Sequence, residues 1–67
     1  MTTPRRIGVR LRRLRLKNGL TQATLAKKAG VTREYVNKLE AGRYDPTVGV
    51  LKRLASVVGV PLTELVR

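Results

Sequence analysis

Apolar residues recur at helical spacing along nearly the whole chain. Ile7, Leu11 and Leu14 form one stripe, Leu25, Ala26 and Ala29 a second, Val36 and Leu39 a third, and Val48, Leu51, Leu54, Ala55 and Val58 a fourth. Each stripe is bracketed by residues suited to starting and leaving a helix. Pro4 can start or precede the first helix, and Asn18-Gly19 can end it near the positive backbone angles of a helix exit. Thr21 and Gly30 bracket the second helix, Thr32 and Ala41-Gly42 the third, and Thr47 and Gly59 the fourth. Arg43-Tyr44-Asp45-Pro46 reads as a loop, and Pro61 opens a short fifth helix with Leu62 and Leu65. Val57, Val58 and Val60 tolerate a strand, but the flanking Gly59 and Pro61 favour a helix end. The expectation is an all-α fold of five short helices around one core, with no sheet and no internal repeat.

The polar positions of the third helix are the candidate functional surface. Val36 and Leu39 define its apolar side, which leaves Arg33, Glu34, Asn37 and Lys38 pointing away from the core. Tyr35 shares a face with Leu39 and is expected at the core edge. On the first helix, Val9 and Leu16 lie a heptad apart on the side opposite Ile7, Leu11 and Leu14; Val50 and Val57 repeat the spacing on the fourth. Such residues are either ordinary scattered exposure or a contact with another subunit or a partner protein. Gly49, in the first turn of the fourth helix, weakens it by up to about 1 kcal/mol relative to Ala. A close backbone approach to phosphate would account for it.

Composition narrows the function. At 67 residues the chain is one domain near the lower size limit for a hydrophobic core without disulfide or metal. Cysteine and histidine are absent, so no disulfide, metal or cofactor is expected, and a reducing cytoplasm suits the chain. Four carboxylates, with no serine beside a base, leave no plausible catalytic constellation. No segment has membrane-spanning length and the N-terminus lacks a signal-peptide pattern; a soluble, nucleoid-associated cytoplasmic protein is expected. Lys and Arg number 15 against 4 acidic residues, a formal charge of +11. Arg5, Arg6, Arg10, Arg12, Arg13, Arg15 and Lys17 all precede the first acid. A solubility role for such charge is the plain alternative, but a polyanionic partner explains it more simply. With two Tyr and no Phe or Trp, the chain lacks the aromatic platform of single-strand or RNA readers, which leaves duplex DNA. Residues 1–6 are expected to form a flexible basic tail and residues 7–67 the folded domain.

Thr21-Gln22, Leu25-Ala26, Gly30-Val31-Thr32, Val36, Leu39-Glu40, Gly42, Pro46 and Leu54-Ala55 with Gly59-Val60 resemble the helix-turn-helix domain of phage repressor and Cro proteins, the Xre-like regulators. The resemblance runs from about Ile7 to Leu65 and implies a compact five-helix lambda-repressor-like domain with its helix-turn-helix at about 21–40. It further implies that the third helix enters the major groove with Thr32, Arg33, Glu34, Asn37 and Lys38 near base edges. Arg33 or Lys38 suits guanine, Asn37 adenine, and Glu34 a cytosine amine. Thr21, Gln22, Arg43, Tyr44 and Thr47 are the implied phosphate contacts, at helix N-termini or just beyond the third helix. The family commonly pairs an arginine of helix one with a glutamate ending helix three, which points to Arg15 and Glu40.

This chain departs from the family at Ala23 and Thr24, where acidic residues usually complete a capping box. The departure forfeits part of the cap and removes negative charge beside the phosphate site. The implied activity is transcriptional regulation, most simply repression by a homodimer on an inverted repeat. Val60, Leu62, Leu65 and Val66, which exceed what a short end helix can bury, are dimer candidates together with Val57 of the fourth helix. No small-molecule ligand or ligand-sensing domain is expected within these residues. The alternatives are an antitoxin-like module that meets a protein partner through Val9 and Leu16, and a non-specific architectural DNA-binding protein.

Overall fold

Threonine hydroxyls set the starts of the four longer helices. The computed structural model describes residues 3–67, as α1 (Pro4–Lys17), α2 (Gln22–Ala29), α3 (Arg33–Glu40), α4 (Val48–Val58) and α5 (Thr63–Val66). Thr3, Thr21, Thr32 and Thr47 each accept a hydrogen bond from the main-chain N–H three residues on, at Arg6, Thr24, Tyr35 and Val50. Gly30 and Gly59 adopt φ of 72° and 76°. The next N–H, of Val31 or Val60, then turns back onto the carbonyl of Ala26 or Ala55, which closes α2 and α4. At α2 the Thr21 hydroxyl also donates to the Thr24 hydroxyl at 2.9 Å. A neutral contact thus stands where the family usually places a carboxylate.

The start of α1 corrects the expected tail over residues 1–6. Pro4, Arg5 and Arg6 are helical, since Thr3 supplies the cap and Pro4 a preset φ at the first turn. Met1 and Thr2 lie outside the described residues.

The four stripes meet in a core of Ile7, Leu11, Leu25, Ala26, Ala29, Val36, Leu39, Leu51, Leu54, Ala55, Val58 and Leu65. Helix α3 lies between α2 and α1, α4 backs α2, and α5 closes the far side of α1. Val48, expected in the core stripe, is 60% exposed. A helical side chain leans toward its own N-terminus, so the first residue of α4 overhangs the core edge. Leu65 departs from expectation in the opposite sense. It is fully buried where α5 packs on α1 and α4, which removes it from the dimer candidates.

Two residues seven apart on α1 fix its contact with α3. Gly8 is buried, and a Cβ there would collide with the Leu39 carbonyl and stand 2.8 Å from the Glu40 carbonyl. Only glycine permits this approach. Two turns on, the 7%-exposed Arg15 grips the end of α3. Its Nε and Nη2 donate to Glu40 Oε2 and Oε1 at 2.7 and 3.0 Å, while Nη1 donates to the Leu20 carbonyl at 2.8 Å. The Glu40 side chain is only 4% exposed. Hydrogen bonding to Glu40 raises the Arg15 pKa above its ordinary value, against the opposing cost of burial, and the Glu40 charge adds to the rise.

Gly8→Ala is expected to cost about 1–3 kcal/mol in urea unfolding, because two rigid backbone oxygens must give way. Arg15→Met should cost about 3–5 kcal/mol by stranding the Glu40 carboxylate, whereas Arg15→Met with Glu40→Leu should recover most of that loss. Equal destabilisation of the single and double variants would refute the stranded-charge account.

Candidate nucleic-acid interface

Helix α3 is amphipathic, and its buried residues are Val36 and Leu39. Arg33, Glu34 and Asn37 are exposed along the opposite side, with Thr32 exposed at the cap and Lys38 half-buried. Glu34 and Lys38 pair one turn apart, with Nζ to Oε1 at 3.0 Å. Beyond the helix, the Tyr44 ring lies 5.3 Å from that of Tyr35, centroid to centroid, and Lys38 Nζ stands 5.6 Å from the Tyr44 centroid. Hydrogen bonding to Glu34 first, and to Tyr44 second, raises the Lys38 pKa. Tyr35 packs against the core, and Tyr44 covers its outer side. Lys38 is therefore braced, while Arg33 and Asn37 extend from α3 with fewer ties.

A chain of hydrogen bonds runs from the buried ion pair to that surface. Glu40 Oε1 accepts from Gln22 Nε2 at 3.2 Å, and Gln22 Oε1 accepts from Asn37 Nδ2 at 3.3 Å. The order has a chemical cause. An ionised carboxylate only accepts, so Gln22 must turn its amide nitrogen to Glu40 and its oxygen to Asn37. Asn37 then answers with its own nitrogen and keeps its carbonyl oxygen free.

The carboxamide of Gln22 thus turns toward α3 and bonds within the protein. What α2 offers an anion is its first main-chain N–H groups, which have no intrahelical acceptor. Thr21 and Thr47 likewise commit their hydroxyls to capping, which holds the N-termini of α2 and α4 in place. Around Gly49 there is open space: a Cβ would meet only the Thr47 hydroxyl oxygen, at 3.9 Å. Arg43 is exposed after α3, its N–H bound to the Lys38 carbonyl.

Arg12 was not singled out in the sequence, yet it lines a shallow hollow with Arg15, Gln22, Asn37, Glu40 and Ala41. The usable signal was its position three residues before Arg15, on the flank of α1 that adjoins α3. Val57, Val60, Leu62 and Val66 are partly buried around the core margin. Among the described residues, no group of three or more Asp or Glu side chains could hold a metal, and no helix is long and apolar enough to cross a membrane.

A helix-turn-helix family model, HTH_3, matches residues 11–65. The uncharacterized HTH-type transcriptional regulator y4dJ of Sinorhizobium fredii is 42% identical over 60 residues, 90% of this chain and 78% of that protein. The immunity repressor protein of Bacillus phage phi105 is 33% identical over 60 residues, again 90% of this chain but 42% of the repressor. Among solved structures, SinR, the master regulator for biofilm formation, in complex with DNA, superposes with a TM-score of 0.84 at 30% identity. That match covers 88% of this chain and 95% of the chain in that structure. On the family match and these relatives, the chain belongs to the repressor-type, Xre-like helix-turn-helix family of DNA-binding transcriptional regulators.

Proposed function

We propose that this protein reads a specific sequence in double-stranded DNA and represses transcription as a homodimer on an inverted-repeat operator. The observation that carries the reading is the exposed polar side of α3, locked from behind by Arg15 and Glu40 and from the side by Gln22. SinR, of the same fold and in complex with DNA, supports the duplex as partner.

In this reading α3 enters the major groove N-terminus first. Arg33 donates to the O6 and N7 of a guanine. Asn37 accepts from an adenine amine through its free carbonyl oxygen and offers its remaining N–H to N7. Glu34 accepts from a cytosine amine, and Lys38 lies beside it, steadied by Tyr44. Phosphates sit at the N-termini of α2 and α4, where Thr21 and Thr47 hold the backbone, and against Arg12 and Arg43 at the edges. Val57, Val60, Leu62 and Val66 supply the dimer contact. One such domain reads few base pairs, so useful specificity requires two half-sites about 34–36 Å apart.

Duplexes selected from a random pool should share a symmetric motif with that spacing. Arg33→Ala and Asn37→Ala should each relax preference at one base pair by about 1–3 kcal/mol, while Arg43→Ala weakens specific and random duplexes alike and flattens the salt dependence. Equal losses on both kinds of duplex for all three variants would overturn the assignment. Gly49→Ala should stabilise the free protein by up to about 1 kcal/mol through helix propensity. It should also weaken DNA binding by crowding the phosphate at α4; unchanged affinity would place that phosphate elsewhere.

A further inference from the structure

The outer side of α1 is charged beyond anything the chain itself can balance. Seven of its fourteen residues are Arg or Lys and none is acidic. Ion pairs among the described residues are Arg15–Glu40, Lys38–Glu34 and Arg67–Glu64, so Arg5, Arg6, Arg10, Arg12, Arg13 and Lys17 have no carboxylate partner. Arg5 and Arg6 also stand in the first turn, where helix N–H groups already carry positive partial charge. Arg6 and Arg10, like Arg13 and Lys17, are like-charged neighbours one turn apart.

Along the middle of this side run two aliphatic residues, Val9 at 50% and Leu16 at 56% exposure. They are a heptad apart, about 10.5 Å along the axis. Arg5 and Arg12 border them on one side, Arg6 and Arg13 on the other. A groove lined by Arg5, Arg6, Val9, Arg10, Arg13 and Arg67 follows the same side. Two aliphatic residues one heptad apart between charged borders offer a second helix a short apolar stripe flanked by cations, and the border charges select which helix. A second copy is disfavoured, because arginine would face arginine. A phosphate backbone would satisfy the cations but gain nothing from Val9 and Leu16. The complement that uses both is a helix with an aliphatic residue in each heptad between rows of Asp and Glu.

We propose that the outer side of α1 docks an acidic amphipathic helix of a partner protein, with Val9 and Leu16 as the apolar contacts and Arg6 and Arg13 as the charge clamp. Gly8, Leu11 and Arg15 face inward. Leu16 also lines a hollow with Thr21, Gln22 and Arg33, so the docked helix adjoins the end of the duplex-facing surface.

The test uses a labelled synthetic helix of about three heptads with leucine along the seam and glutamate on both borders, against an equally charged peptide with serine for leucine. At physiological salt, fluorescence anisotropy should show the leucine peptide binding at least tenfold more tightly than the serine peptide. Val9→Ser with Leu16→Ser should erase that difference and leave affinity for the selected duplex unchanged. Arg6→Glu with Arg13→Glu should abolish binding of both peptides, with thermal melts confirming that each variant is folded. Failure of the leucine peptide to bind, or equal binding of the two peptides, overturns the proposal. So does loss of duplex affinity on substituting Val9 and Leu16, which would assign this side to nucleic acid. A wild-type dimer that the same substitutions dissociate would assign it to a second copy.

Discussion

The carboxylate of Glu40, held at the end of α3 and almost wholly out of water, governs the rest of the structure. A charge in that position is tolerable only with a cation and full hydrogen bonding, and Arg15 supplies both with a bidentate grip. Arg15 in turn reaches Glu40 because Gly8 lets α1 lie against the last carbonyls of α3. The third nitrogen of the guanidinium, on the Leu20 carbonyl, ties in the turn before α2. One buried ion pair thus registers three helices. In so small a core, where each helix contributes one to four buried apolar residues, packing alone would tolerate small sliding of α3. A bidentate pair does not.

Electrostatics outside that pair run against folding. A formal charge of +11 on 67 residues repels itself, and the chain has too few carboxylates to relieve it. Three of its four acids are already committed to ion pairs among the described residues, at Glu34, Glu40 and Glu64. The remaining cations form a reserve of unfavourable energy that a polyanion or an acidic surface can release on binding. Affinity built this way depends steeply on salt, and specificity must come from the few side chains held in fixed geometry.

Helix starts, the four stripes and the polar side of α3 were legible in the sequence because each rests on local rules: a cap, a period, a stop. The errors arose where the outcome depends on what lies across from a residue. Val48 satisfied the period but overhangs the core, and Leu65 looked surplus to a short helix until α1 and α4 enclosed it. Arg5 and Arg6 were assigned to the tail, whereas the Thr3 cap starts α1 ahead of them. Gly8 drew no notice, since a lone glycine in a helix reads as a weak spot unless the carbonyls opposite it are known. The pairing of Arg15 with Glu40 came only through family resemblance; no local rule connects residues 25 apart in sequence. The hydrogen bonds of the Gln22 side chain to Glu40 and Asn37 were equally out of reach of local rules.

The case for an ion pair at this place, rather than two apolar residues of similar volume, rests on what lies one and two bonds further out. Replacing a buried pair by well-packed hydrophobic side chains is often neutral or even stabilising, so stability alone is a poor reason for Arg15 and Glu40 to be there. Apolar packing would position α3 but leave the carboxamides of Gln22 and Asn37 free to flip together, since an amide–amide hydrogen bond forms equally well in either direction. A carboxylate fixed by Arg15 removes that freedom, as it accepts and never donates. The direction set at Glu40 passes through Gln22 and emerges at Asn37 as an outward oxygen on the helix that meets the duplex. The same two charges that hold the scaffold also decide which face of an amide is offered to a base, and a hydrophobic pair could do only the first.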